Sequence, residues 1–217
     1  MNSYIANIFN SIIEFVIKCK RKFVVYDKYK EDYLSNVQTL IKRGLVVGKN
    51  VTIETGVLID GSYPYLISIG DNSSIAMNVR IFAHDDAPVK FGGNFVRLGK
   101  VDIKENCFIG DSCIILPGVT IGPNVIVAAG SVVNKSIPPD TCVAGVPARF
   151  YANFHDVIEN VQEKAKVNPV FFSEDLRHEN LTEELKSEVR KAVFNDTCFV
   201  QRKSVRPDLY ILWNRTE

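Results

Sequence analysis

His84 is the strongest candidate for a chemical role in this sequence. The other two histidines, His155 and His178, lie in polar stretches near the C-terminus, whereas His84 lies in a glycine-rich region and precedes two aspartates. A neutral imidazole can accept a proton from an attacking hydroxyl near neutral pH. Its second ring nitrogen then needs a hydrogen-bond acceptor, for which Asp85, Asp86 and a backbone carbonyl of the following loop are alternatives. From position alone, catalysis and a purely structural role are equally well supported.

The composition excludes several other classes of protein. The 217 residues contain 26 Lys and Arg against 25 Asp and Glu, so the chain lacks the basic field expected of a nucleic-acid binder. The five cysteines contain no Cys-x-x-Cys pair. This spacing argues against a disulfide scaffold or a thiolate zinc site and favours a reducing, cytoplasmic compartment.

The N-terminal region predicts a helix rather than a membrane span. Residues 4–17 are apolar at helical spacing, but the stretch is too short to cross a bilayer. The basic residues follow the apolar run, whereas in a secretory signal they precede it. We expect an amphipathic helix that covers one end of the core, and peripheral membrane contact is the less favoured alternative.

The region that must position His84 follows a six-residue repeat. All thirteen glycines fall between Gly44 and Gly145. Aliphatic residues recur at every sixth position within each run: Val47, Ile53, Ile59; Ile69, Ile75, Ile81; and Ile103, Ile109, Ile115, Ile121, Val127, Val133. The third residue after most of them is Asn or Gly, at positions 50, 56, 72, 78, 106, 118, 124 and 130.

This period predicts a mainly β protein built as a parallel β-helix. Each hexapeptide supplies a short strand and a corner, where Asn and Gly tolerate a positive φ. The aliphatic side chains point inward and stack on their copies in neighbouring coils. A sandwich of alternating strands would show a period of two and no fixed corner residue. We predict the β-helix domain over residues 44–150, an N-terminal helical segment at 1–43 and a C-terminal extension at 151–217, with helices at 152–166 and 182–193 and a strand at 208–213.

Two interruptions of the repeat predict insertions. Four extra residues lie between Ile59 and Ile69, and a loop near residues 85–100 extrudes between Ile81 and Ile103. The tip of that loop is predicted at residues 92–94. His84 falls in the corner position of its hexapeptide, at the start of the loop, where binding residues often lie.

The segments IGDNSSIAMNVRIFAHD and IKENCFIGDSCIILPGVTIGPNVIVAAGSVVNKSIPPDTCVAGVPAR resemble the hexapeptide-repeat acyltransferases, in particular the maltose/galactoside O-acetyltransferase-like branch. The resemblance covers about residues 40–150. It implies a left-handed β-helix, a homotrimer with active sites in the clefts between subunits, and acetyl-CoA as co-substrate without a metal. It further implies transfer of an acetyl group to a hydroxyl of a sugar or saccharide, with His84 as general base.

The resemblance also implies a set of residues that bind coenzyme A. Ala129 matches a position whose backbone contacts the pantetheine arm, and Asn134 with Lys135 matches a pair that is commonly Thr-Lys. Arg149 matches a basic residue that meets the nucleotide phosphate, and Asp111 is a weaker match. The alternative for Lys135 and Arg149 is a pair of solvated surface charges.

The acceptor side is marked by Asp60, Tyr63 and Tyr65. Asp60 lies where sugar-acetylating relatives hold a carboxylate that hydrogen-bonds acceptor hydroxyls. The two tyrosines could stack on a sugar ring. All three could instead shape the short insertion that they flank.

Other functions remain as alternatives to saccharide acetylation. The same fold and donor could serve an amino sugar, an amino acid or an antibiotic acceptor, or the β-helix could be a scaffold without catalysis. A zinc carbonic anhydrase built on the same β-helix is excluded, because it needs three histidine ligands and the repeat region contains only His84. The C-terminal extension has two alternative roles, either in contacts between the subunits of a trimer or as a lid over the acceptor cleft.

Overall fold

The computed structural model describes residues 37–172, 176, 181–195 and 197–201. Two predictions, the N-terminal helix at 4–17 and the strand at 208–213, lie outside these residues. The described chain begins with helix α1 (Val37–Lys42) and then enters a three-sided column of short strands.

Three parallel sheets form the sides of the column, and the chain visits them in a fixed order. Sheet I contains β1 (Val46–Val47), β4 (Ile67–Ile69), β9 (Val101–Ile103) and β12 (Thr120–Ile121). Sheet II contains β2 (Thr52–Ile53), β5 (Ser74–Ile75), β10 (Phe108–Ile109), β13 (Ile126–Val127) and β15 (Thr141–Ala144), to which β16 (Arg149–Asn153) adds in antiparallel orientation. Sheet III contains β3 (Leu58–Ile59), β6 (Arg80–Ile81), β11 (Ile114–Ile115) and β14 (Val132–Val133). The predicted parallel β-helix is confirmed.

The core is the column of aliphatic side chains that the repeat predicts. Strands pair in register, so that Ile115 lies between Ile81 and Val133 on sheet III. The other two sheets repeat this arrangement around Ile109 and Ile103. These side chains are fully or almost fully buried, and burying each one contributes about 1.5–3 kcal/mol. The hydrophobic column therefore fixes the register of every coil.

The corners adopt the predicted left-handed backbone conformation. Every Asn and Gly predicted at a corner has a positive φ, between +54° at Asn124 and +85° at Gly118. Ser112 and Asp140 take the same conformation at two further corners. Along one edge the corner side chains also bond to one another, since the Asn124 amide accepts from Asn106 at 3.2 Å and donates to Asp140 at 2.8 Å. Adjacent coils are thereby linked at the edge as well as through the core.

Both interruptions of the repeat leave the column at the same edge. Each follows a strand of sheet III and precedes a strand of sheet I, an edge that we call the III–I edge. The first insertion ends in a turn of 3₁₀-helix at Pro64–Leu66. The second, longer loop follows one coil later, so the two insertions stack directly on each other.

The longer loop is a hairpin with a short helix at its far end. Strands β7 (His84–Asp85) and β8 (Arg97–Leu98) pair antiparallel, and α2 (Ala87–Lys90) lies between them. The base of the loop is closed where the amide of Gly99 donates to the carbonyl of Ala83 at 2.9 Å. His84 is therefore not a corner residue, which corrects the prediction from counting. It begins a hairpin strand and does not have a positive φ, because the chain has already left the coil.

The C-terminal residues form a separate layer of helices and strands. The helices predicted at 152–166 and 182–193 are confirmed as α3 (Phe154–Val167) and α4 (Glu183–Asn195). Strands β17 (Val170–Phe172) and β18 (Phe199–Gln201) pair in parallel. Strand β16 joins this layer to the column through its pairing with β15.

Glycine is required in the coils for two different reasons, a close approach of neighbouring coils at Gly70 and a positive φ at Gly118. A Cβ at Gly70 would lie 2.6 Å from the amide nitrogen of Glu105 in the next coil, whereas a Cβ at Gly118 would meet nothing within 4 Å. Gly118→Ala therefore adds only left-handed strain and should lower the free energy of unfolding by about 1–2 kcal/mol. Gly70→Ala must push two coils apart and should cost more. Urea denaturation of both variants measures the difference, and equal losses would contradict the close approach of coils at Gly70.

Candidate active site

The carboxylate of Asp60 is the centre of the site at the III–I edge. Asp60 follows the last strand residue of its coil and its side chain is 0% exposed. Its Oδ1 accepts the amides of Ser62 at 2.9 Å and Tyr63 at 3.3 Å, and its Oδ2 accepts the amide of Ala83 at 2.9 Å. A buried carboxylate is stable only when it is hydrogen-bonded in this way. These bonds tie the short insertion to the base of the longer loop.

The fourth partner of Asp60 is the imidazole of His84. Nδ1 of His84 hydrogen-bonds Oδ2 of Asp60, which fixes the orientation of a ring whose side chain is only 16% exposed. An ionised carboxylate is an acceptor only, so Nδ1 carries the proton of the neutral ring. Nε2 is then left with a free lone pair, as a general base requires.

The acceptor for the second ring nitrogen of His84 is therefore Asp60 and not Asp85. The Asp85 carboxylate instead accepts the amide of Ala87 at 2.9 Å, at the start of α2. Asp86, the other aspartate that follows His84, lies near the opposite nitrogen of the ring. Its Oδ2 is 3.6 Å from Nε2 of His84 and its side chain is 68% exposed.

The three residues predicted on the acceptor side take different positions around His84. The ring of Tyr63 packs beside His84, with centroids 5.3 Å apart, and Tyr65 packs against Tyr63 at 6.3 Å. Asp60 has both oxygens occupied by protein donors and no exposed surface. Its geometry fits the positioning of His84 rather than direct contact with an acceptor hydroxyl.

A pocket of about 470 Å³ runs along the III–I edge from His84. Successive coils contribute Phe82, Leu116 and Asn134 to its wall, each directly after the inward aliphatic of its strand. Seven residues line it: Phe82, His84, Asp85, Arg97, Leu116, Pro117 and Asn134. Asn134, predicted from the resemblance as a coenzyme A residue, is thus brought together with His84.

The other residues predicted to bind coenzyme A lie elsewhere on the chain. Asp111 and Ala129 follow strands of sheet II and stack at the edge between sheets II and III, where the amide of Gly130 donates to the carbonyl of Asp111 at 2.7 Å. Lys135 is exposed beyond the pocket-lining Asn134. Arg149 is exposed at the start of β16, and its guanidinium donates to the carbonyl of Ala148 at 2.9 Å. Within one chain, the structure does not place these residues in the His84 pocket.

The buried cysteines of the column are unsuited to nucleophilic chemistry. Burial raises the pKa of Cys107 to about 11 and raises the pKa of Cys113. Both thiols donate to backbone carbonyls of the next coil, Cys107 to Gly122 at 3.0 Å and Cys113 to Ala128 at 3.1 Å. Because the thiolate is the reactive form, these residues serve packing.

The described ranges contain no candidate metal site and no candidate membrane span. No three His, Cys, Asp or Glu side chains among those residues cluster closely enough to hold a metal ion. In the same part of the chain, no helix combines the length and the apolar character needed to cross a bilayer.

Comparison with known proteins identifies the family. Residues 100–135 match the model for the bacterial transferase hexapeptide (six repeats). YvoF of Bacillus subtilis, which carries the name of an acetyltransferase, is 34% identical over 120 residues, 55% of this chain and 67% of that protein. The galactoside O-acetyltransferase of Escherichia coli is 38% identical over 97 residues, 42% of this chain and 46% of the relative, so the match spans about half of that enzyme.

The chain is also similar in part to a solved structure. The hexapeptide-repeat acetyltransferase of Vibrio cholerae in complex with acetyl coenzyme A is 26% identical, with 57% of this chain and 81% of that chain covered and a TM-score of 0.44. The three-sided column and its hexapeptide repeat define the class of fold, a left-handed parallel β-helix. The chain belongs to the hexapeptide-repeat acyltransferase family, which confirms the resemblance in the sequence.

The tautomer of His84 can be tested without any substrate. If Asp60 holds the proton on Nδ1, nitrogen-15 NMR of the neutral ring should show Nδ1 protonated and Nε2 unprotonated. Asp60→Asn should change the ratio of the two neutral tautomers, because an amide can also donate a hydrogen bond to the ring. Asp85→Asn should leave the tautomer ratio unchanged. A tautomer shift in the Asp85 variant alone would contradict the assignment of Asp60 as the partner.

Proposed function

We propose that this protein is an acetyl-CoA-dependent O-acetyltransferase that transfers an acetyl group to a hydroxyl of a sugar or saccharide, with His84 as general base. The observation that carries the proposal is the hydrogen bond between Asp60 and Nδ1 of His84, which leaves Nε2 as the ring nitrogen not bonded to the buried carboxylate, on a residue that lines the pocket. The names of the relatives as acetyltransferases, among them galactoside O-acetyltransferases, support the reaction class.

His84 acts on the proton of the acceptor hydroxyl. Nε2 accepts this proton as the oxygen attacks the thioester carbonyl, which forms the new C–O bond. The buried carboxylate of Asp60 stabilises the positive charge that the ring acquires. When the C–S bond breaks, Nε2 returns the proton to the leaving sulfur, so that free thiol and acetylated acceptor are the products. His84 is neutral again at the end of the cycle.

The packing of the pocket sets the surroundings of this proton transfer. Phe82, Leu116 and Pro117 provide the apolar part of the wall beside the attacking oxygen. Tyr63 covers one side of the imidazole and offers an aromatic face to an acceptor ring. In this arrangement Tyr63 is the acceptor-contacting residue, and Asp60 is a positioning residue.

The distribution of the predicted donor residues supports a homotrimer. Asn134 lies at the III–I edge with His84, whereas Asp111 and Ala129 lie at the edge between sheets II and III. One donor molecule could contact both groups of residues if the columns of two subunits met edge to edge, as in the trimer implied by the family. Lys135 and Arg149 would then supply positive charge to the anionic nucleotide.

The cysteine pattern supports action in the cytoplasm. The described cysteines are free thiols, and three of them are buried in the column. The cytoplasm keeps thiols reduced and so suits such a chain. Surface polysaccharide precursors are a class of saccharide that an enzyme in this compartment would meet.

Removal of His84 provides the central test. His84→Ala should lower the turnover of acetyl-CoA with a saccharide acceptor by roughly 100- to 10,000-fold, because general base catalysis is lost. Thiol release measures the rate. His155→Gln is the matched control, since His155 pairs with Asp140 on the surface and lies outside the pocket.

Binding separates the enzyme from a scaffold. Coenzyme A should raise the melting temperature of both the wild type and His84→Ala, because a ligand that binds only the native state stabilises it. Wild-type turnover in His84→Ala would refute the assignment of the base. The absence of any thermal shift with saturating coenzyme A would favour a scaffold.

A further inference from the structure

We propose that the His84 pocket contains a second recognition site, in which Arg97 binds a carboxylate group of the acceptor. The acceptor would accordingly be an acidic saccharide. This inference rests on the proposed function, because it specifies which class of sugar reaches His84.

The position of Arg97 is fixed by the hairpin that begins at His84. Arg97 lies in β8 directly opposite Asp85 in β7, and both residues line the pocket. The pairing of the strands therefore holds the guanidinium on the same pocket wall that carries the catalytic imidazole.

The guanidinium of Arg97 is available for a ligand. Among the residues that the structure describes, no side chain or carbonyl forms a hydrogen bond or an ion pair with it. Oδ1 of the nearby Asp85 carboxylate accepts the amide of Ala87 at 2.9 Å, which directs that oxygen to the backbone at the start of α2. An arginine presents a planar fork that binds a carboxylate through two parallel hydrogen bonds.

The walls around Arg97 strengthen such an interaction. Phe82, Leu116 and Pro117 are apolar, and Asn134 is the other polar side chain of the lining besides His84 and Asp85. Charge pairs interact more strongly beside apolar surface than in bulk water. Of the described residues that line this pocket, Arg97 is the only lysine or arginine.

The negative charges of the site determine how an acidic acceptor must lie. The carboxylate of Asp86 is 3.6 Å from Nε2 of His84 and would repel a second anion there. The acceptor carboxylate must therefore lie at Arg97, with a neutral hydroxyl directed to Nε2. Arg97 and Asp86 together would select one orientation of the sugar.

The anion at Arg97 belongs to the acceptor rather than to the donor. Acetyl-CoA must bring its thioester to His84, and this end of the molecule is uncharged. Its phosphates lie beyond the pantetheine arm, away from the group that reacts. A carboxylate attached to the attacking sugar, in contrast, is necessarily close to the imidazole.

The test compares acids with their own methyl esters, which differ in charge but keep every hydroxyl. The probes are galacturonic acid, glucuronic acid and N-acetylneuraminic acid, each with its methyl ester. Wild-type kcat/KM should be higher for at least one acid than for its ester. Arg97→Gln should lower kcat/KM for that acid by roughly ten- to a hundredfold and should change the value for the ester by about twofold or less.

Two further variants check that the effect comes from the pocket. Arg97→Lys keeps the charge but loses the planar fork, so it should fall between the wild type and Arg97→Gln. Lys90→Gln removes a cation from the same loop without touching the pocket lining, and its preference for acid over ester should equal that of the wild type. Loss of the preference in Lys90→Gln would indicate a diffuse charge effect and overturn the site.

Binding to the protein saturated with coenzyme A, measured by calorimetry, separates this inference from the proposed function. Acids that bind the wild type and not Arg97→Gln, without any turnover, would support the carboxylate site and refute acyl transfer. Turnover with equal preference for acids and esters in both proteins would overturn the carboxylate site alone. A rise in the KM for acetyl-CoA in Arg97→Gln, with an unchanged ratio of acid to ester, would assign Arg97 to the donor and overturn the inference.

Discussion

The in-register stacking of aliphatic side chains is the constraint on which the rest of the structure depends. Each parallel strand of the three sheets is only two to four residues long, too short to be stable alone, so every coil relies on the coils above and below it. Because Ile59, Ile81, Ile115 and Val133 must stay in line, the chain can insert extra residues only where it turns. The insertions are therefore displayed on a rigid edge, and their relative height is fixed by the column.

That rigid edge allows a buried charge to organise the candidate active site. Asp60 would be costly to bury in a flexible protein, yet here three backbone amides and an imidazole converge on its carboxylate. The amides come from two insertions that stack one coil apart. The hydrogen bond from His84 both helps to stabilise the buried carboxylate and holds the imidazole in one orientation.

Particular residues show where prediction from the sequence succeeded and where it did not. The repeat predicted the inward column and the corner conformation residue by residue, because both depend on a local period that repeats many times. The corner position of His84 was predicted by the same count and was wrong, since the chain leaves the coil after Ala83. The acceptors considered for the second ring nitrogen, Asp85 among them, all followed His84 closely in sequence, whereas the partner in space is Asp60, 24 residues earlier. The signal that could have found it is that both interruptions of the repeat follow the third strand of a coil.

The sequence by itself determined the class of fold, the edges of the column and the histidine that could act as a base. It could do so because hydrophobic period, corner chemistry and family motifs are properties of short, contiguous segments. Only the tertiary structure decided that Asp60 orients His84, that Arg97 and Asn134 share its pocket, and that Ala129 and Asp111 lie at another edge. These pairings join residues from different coils, so they depend on how loops of different length close over one another rather than on any local pattern.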